Sequence, residues 1–167
     1  MDFNKALMRK HGHGLYEQMQ TRQLPPLYIA FREELSECSD KFHNSIRERF
    51  DMGDKKVVAA MAYWARLTDK AKAHLENGST HELGPLLDAN FNKRRGIYRI
   101  SRDNINMVDC ARAQGASAKF TGSGGAIVGT YEDQKMFSRL KKALGKLGIK
   151  VIKPKIIEPT TLCSQQR

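Results

Sequence analysis

The stretch AKFTGSGGAIVG, residues 118 to 129, holds the side chains and backbone most suited to chemistry: Lys119 leads into Thr121, Gly122, Ser123, Gly124 and Gly125, between two apolar runs. Three glycines in four positions permit positive φ and let successive backbone N–H groups close on an anion, as a phosphate-binding nest does. A flexible hairpin turn is the plainer reading, but such turns need only two to five residues and one or two glycines. Two standard phosphate motifs fail. Gly124 and Gly129 have P-loop spacing, yet Thr130 stands where the lysine is required. Gly122 and Gly124 open a dinucleotide fingerprint, yet residue 127 is isoleucine and a strand follows instead of a helix. GSGG also meets the bare G-x-x-G of a KH-type nucleic-acid clamp, but that loop joins helices, and both flanks here read as strands.

A second set of polar groups lies on a helix. On a wheel over 79 to 95, Asn90 and Arg94 fall in register with Leu83 and Leu87 and project toward the packed side, while Arg95 lies on the flank. They are either satisfied buried hydrogen-bonding groups or an anion contact, with Arg94 forking onto a carboxylate or phosphate. Lys41, His43, Arg47 and Arg49 cluster in DKFHNSIRERF, where charges are either solvated or substrate-facing. Metal chemistry has little support: His11 and His13 lack a third nearby ligand, and HELGP is not H-E-x-x-H. We therefore expect no metal site and assign no catalytic residue.

Elements must position these groups. PPLYIAF (25 to 31) predicts a strand, and 32 to 54 reads as loop with a short helix around Ile46 to Phe50. From Lys55, Val57, Met61, Trp64, Thr68, Ala71 and Leu75 recur at helical spacing over about five turns, with Trp64 in the core. Ser79 followed by Glu82 suggests a capping box opening a second helix, striped by Leu83, Leu86, Leu87 and Phe91 and ending near Gly96. Ser101 caps a third, carrying Ile105, Val108 and Ala111 and closing at Gly115. ASAKF and AIVGTY flank the glycine loop as an antiparallel pair, Glu132 and Asp133 open a last helix faced by Met136, Leu140, Leu144 and Leu147, and IKVIKPKII (149 to 157) is the final strand. The order implies an α+β fold, a ferredoxin-like sandwich of about four mostly antiparallel strands with helices packed on one face.

Composition sets the class. At 167 residues, 40% of them hydrophobic, the chain suits one domain, and runs such as VVAAMAYWA (57 to 65) are too short to span a bilayer. A net charge of +11 favours anionic partners, either nucleic acid or small anions such as nucleotides and sugar acids. Cys38, Cys110 and Cys163 show no C-x-x-C spacing and fit reduced thiols in the cytoplasm.

Lys119 and the loop after it resemble the third signature of the GHMP small-molecule kinases. More closely, NFNKRR (90 to 95), NINMVDCARAQGASAKFTGSGGAIV (104 to 128), LPPLYIAFREE and SDKFHNSIRERF together resemble the C-terminal half of the glucuronokinases. MDFNKALMRKHGHGLYEQM resembles the stretch joining that family's two halves, so the likeness runs over nearly the whole chain. The resemblance implies 1–24 as an arm at that junction, 25–157 as the C-terminal domain and 158–167 as a polar tail. It implies ATP and Mg²⁺ with a sugar-acid substrate, the loop 121–125 with Lys119 beside the phosphates, and Asn90, Arg94, His43 and Arg47 on the sugar, His43 as a hydrogen-bond donor. The family's phosphate loop, P-x-x-x-G-L-S-S-S, and its catalytic aspartate match nothing in these 167 residues. The expectation is a lobe of a sugar kinase that is inactive alone and exposes apolar surface prone to self-association. The rival expectations are a basic RNA-binding module, the less favoured, or a non-catalytic paralogue that pairs with a complete kinase.

Overall fold

The computed structural model describes residues 3–35 and 39–157, with side chains throughout except at 39–44. Among the described residues four strands, β1 (Leu27–Phe31), β2 (Lys119–Phe120), β3 (Ala126–Thr130) and β4 (Lys150–Ile152), form one sheet in the order β2-β3-β1-β4. Every neighbouring pair is antiparallel, with Tyr28 opposite Gly129, Ala30 opposite Val151 and Phe120 opposite Ile127. This is the α+β fold with about four mostly antiparallel strands that the sequence predicts. Alternation along β1 and β3 buries Tyr28, Ala30 and Ile127 on one face.

Among the described residues six α-helices accompany the sheet: α1 (Lys5–His11), α2 (Ser39–Asp51), α3 (Lys55–Glu76), α4 (Leu83–Arg95), α5 (Arg102–Arg112) and α6 (Gln134–Gly145). Met107, Val108 and Ala111 of α5 join Leu140 and Leu144 of α6 and Phe91 of α4 in the core over the inner sheet face. Helix α4 leans on β2 and β3, α3 packs on α4, and α2 on α3. The helix starts follow side-chain chemistry. Asp54 caps α3 through the N–H groups of Lys56 and Val57, Ser101 caps α5 through Asn104 N–H, and Asp133 caps α6 through Met136 N–H.

The fold departs from the sequence reading in four places. Residues 5–11 form a short helix, because Asn4 accepts Ala6 N–H at its start and Gly12 closes it at φ 73°. Helix α2 runs well beyond Ile46 to Phe50, so four helices separate β1 from β2 instead of three. The Ser79–Glu82 box does not form: Thr80–Glu82 make a 3₁₀ turn, Ser79 caps nothing, and α4 starts at Leu83. The last strand stops at Ile152, since β4 is an edge that meets only Ile29 to Phe31, and Pro154 follows without an N–H to offer. Among the described residues no helix is long and apolar enough to cross a membrane.

Candidate functional site

Strand β2 is fastened just before Lys119. Asp88 on α4 accepts Ala118 N–H at 2.8 Å and pairs with Arg112 of α5 at 2.8 Å, while Arg112 also donates to the carbonyls of Asp88 and Ala118 at 3.1 and 3.0 Å. This network ties two helices to the strand that carries the site, and no sequence motif marks it.

Beyond that strut lies an open pocket of about 640 Å³, lined by Asn90 and Arg94 of α4, Met61 and Trp64 of α3, Tyr98, and the run from Lys119 to Ser123. Its size is that of a small-molecule site. Arg94 defines one wall. Its guanidinium lies 4.8 Å from the Tyr98 ring centroid and 5.2 Å from that of Phe120, and it donates to the Ser123 carbonyl at 3.3 Å. A planar guanidinium beside two rings is a group of the kind that forks onto a carboxylate or phosphate. Trp64, expected in the core, lines the pocket instead: its half-buried indole donates its N–H to the Asn90 carbonyl at 3.2 Å. The wheel reading of Asn90 and Arg94 as inward polar groups finds them here, half-buried and facing this cavity.

Lys119 is also half-buried, and its ammonium donates to the Phe120 carbonyl at 2.7 Å. Burial, reinforced by the Arg94 charge, holds that ammonium below the ordinary lysine range. In the free protein the charged form therefore costs stability below the lowered pKa, and that cost disappears as pH rises from the lowered pKa to the ordinary lysine value. Anion binding has the opposite sign. Affinity for inorganic pyrophosphate should be full below the lowered pKa and fall about tenfold, the worth of one charge-assisted contact, as pH rises through it. Calorimetric titration across the alkaline range should show the fall earlier than an ordinary lysine allows, and Lys119→Met should flatten it; identical profiles for the two proteins would refute the assignment.

The glycine loop divides in two. Thr121, Gly122 and Ser123 line the pocket, and a β-carbon at Gly122 would meet nothing within 4 Å. Gly124 and Gly125, expected to cradle an anion with them, do not face the pocket. Gly124 packs on Asn104, and Gly125, at φ 74°, gives its N–H to Asn104 Oδ1 at 2.8 Å and its carbonyl to Arg32 N–H at 2.9 Å. The anchored half therefore has its N–H engaged inside the protein.

Arg47 is not brought to the pocket: its side chain is 82% exposed on α2 and lies 3.8 Å from Asp51. The His43 and Lys41 side chains lie outside the described residues. Arg49 is structural, held by Asp54 at 2.9 Å and by the Ile97 carbonyl at 3.2 Å. The described residues lining the pocket include no carboxylate, and no group of three or more His, Cys, Asp or Glu among the described residues could hold a metal. The lining, with two cationic side chains and no carboxylate, suits phosphate or carboxylate oxygens and does not suit Mg²⁺, which is held through carboxylates.

Over 98% of its length the chain is 36% identical to probable glucuronokinase 2 of Arabidopsis thaliana, and over 77% it is 39% identical to glucuronokinase 1 of the same plant. The chain is a glucuronokinase relative with the fold of a GHMP kinase C-terminal domain. It spans 45% and 36% of the lengths of those two proteins. The structure of L. major mevalonate kinase in complex with R-mevalonate superposes on 81% of this glucuronokinase relative at a TM-score of 0.68 and 20% identity, covering 44% of that enzyme. That likeness establishes the fold. No protein-family model matches the chain. The resemblance carried by NFNKRR and the glycine loop is thus borne out at the level of family and fold.

Proposed function

We propose that this chain supplies the sugar-acid and phosphate-facing wall of a glucuronokinase-like enzyme, which phosphorylates D-glucuronate at its anomeric oxygen with ATP. The supporting observation is the convergence of Arg94, Lys119 and the Thr121–Ser123 half of the loop on one pocket with an aromatic wall. In this reading Arg94 and Asn90 orient the sugar acid, and Lys119 with the loop N–H groups stands where charge builds on the transferring phosphoryl group. ATP would supply the phosphoryl group, and any Mg²⁺ that offsets its charge would need carboxylate ligands from outside this pocket's lining. The free thiol of Cys110 supports a reducing, cytoplasmic setting.

Phosphoryl transfer requires positioning from both sides of the phosphate, and this pocket is one side. The chain alone is accordingly expected to bind D-glucuronate about tenfold more tightly than glucose, one charge-assisted contact being worth that much, and to release no ADP above background. Calorimetry with both sugars and a coupled ADP assay check the two halves. Equal affinity for the two sugars, or tight sequence-dependent binding of single-stranded RNA at moderate salt, would remove the sugar-acid reading. Turnover by the isolated chain near that of a full-length relative would remove the one-wall reading.

A further inference from the structure

Asn104 belongs to the stripe formed by Met107, Val108 and Ala111 on α5, and like them it is fully buried. A polar amide among apolar neighbours is retained only where its hydrogen bonds are satisfied in place. Its Oδ1 accepts the Gly125 N–H at 2.8 Å. Its Nδ2 donates to the Leu35 carbonyl at 3.2 Å and to Ser101 Oγ at 3.0 Å. A β-carbon at Gly124 would stand 3.0 Å from that same nitrogen, so loop backbone lies directly against the amide.

One side chain thus ties together the exit of the glycine loop, the first turn of α5 and the chain leaving β1 toward α2. The loop residues that line the pocket, Thr121 to Ser123, have only Gly124 between them and the residue so fastened. We propose that Asn104 is the positioning residue of the glycine loop: it holds Gly125 so that the loop's pocket half stands at the right place for ligand oxygens. Asn104 reaches the pocket only through the backbone, and it acts by geometry and not by contact. The inference rests on the reading of the pocket as an anion site, and its test separates the two.

The probe is inorganic pyrophosphate, titrated into the whole chain, alongside amide hydrogen exchange at Gly125. Asn104→Ala should lower pyrophosphate affinity about tenfold and speed Gly125 exchange by at least about tenfold. Val108→Ala, a cavity in the same buried stripe, controls for loss of stability alone; it should change neither quantity by more than about twofold. Should Asn104→Ala fail to fold, Gly124→Ala provides a milder variant whose methyl presses on the amide while φ at 124 is unstrained. It should weaken pyrophosphate with little change in melting temperature. Wild-type affinity in both loop-latch variants, or equal losses in Asn104→Ala and Val108→Ala, overturns the proposal. If the wild-type chain binds no pyrophosphate, the anion reading of the pocket fails. Protection at Gly125 then decides the latch by itself, and unchanged exchange in Asn104→Ala would overturn it.

Discussion

Gly129→Ala is expected to prevent stable folding. An ideal β-carbon at Gly129 would lie 1.7 Å from the Ser117 carbonyl oxygen, 2.6 Å from its carbon and 2.7 Å from Cε1 of Tyr28. The obstacle is backbone, and that backbone is held from several sides. Ser117 N–H donates to the Thr130 carbonyl at 3.1 Å, Thr130 N–H donates to Ser117 Oγ at 2.8 Å, and the Tyr28 hydroxyl donates to the Ser117 carbonyl at 2.8 Å. Relieving the overlap means parting the chain before β2 from β3 and breaking those bonds, with Tyr28 and Ser117 already buried. Overpacking against flexible side chains costs about 1–3 kcal/mol; against fixed backbone we expect more than about 4 kcal/mol, a large share of a domain's total stability. The same substitution at Gly122, which would meet nothing within 4 Å and has no positive φ, should stay within about 0.5 kcal/mol. Urea melts of the two variants make the comparison, and a Gly129→Ala midpoint close to that of Gly122→Ala would show that the strands can part cheaply.

The contrast between those two glycines also marks what sequence can carry. Spacing showed where helices had to be, because stripes such as Val108 and Ala111, or Leu140 and Leu144, follow from the helical period and a buried face. The cap at Ser101 was legible because one side-chain oxygen satisfies N–H groups a fixed distance along the chain, whereas Asp133 was legible only as negative charge at a helix start and proves to be the cap of α6. Ser79 and Glu82 showed the same signal without the structure, since a 3₁₀ turn intervened before α4. Asn90 and Arg94 were legible as inward polar groups, because the wheel places them on the packed side. The pocket itself was not legible. Trp64, Tyr98 and Phe120 reach it from α3, the α4–α5 connection and β2, and nothing local in the sequence ties three aromatics so far apart to one cavity. The loop looked uniform as TGSGG, yet only tertiary contacts divide it, with Asn104 claiming Gly125 and leaving Thr121 to Ser123 at the cavity. Asn104 did leave a trace, as a polar residue at a stripe position three residues before Met107 and four before Val108.

Arg94→Ala is expected to lower the affinity of the pocket for D-glucuronate and for pyrophosphate by about 10- to 100-fold. The estimate follows from about 1.5–3 kcal/mol for a hydrogen bond to a charged group, taken once as the net worth of the forked contact. Stability should fall less, by about 1–2 kcal/mol, because the change removes the stacking on Tyr98 and Phe120 and the bond to the Ser123 carbonyl while the pocket remains open to water. Arg94→Lys separates charge from shape. It keeps the positive charge but loses the planar fork that matches carboxylate and phosphate oxygens, so it should recover less than half of the lost binding energy. Arg139→Ala, an exposed cation removed from α6, corrects for net charge and should change affinity by less than about twofold once salt is matched. Glucose should respond weakly to all three variants, since it offers no carboxylate for the fork. If Arg94→Lys binds D-glucuronate as tightly as the wild type, the guanidinium acts only as a point charge; if Arg94→Ala does so, the sugar-acid wall of this kinase relative lies elsewhere.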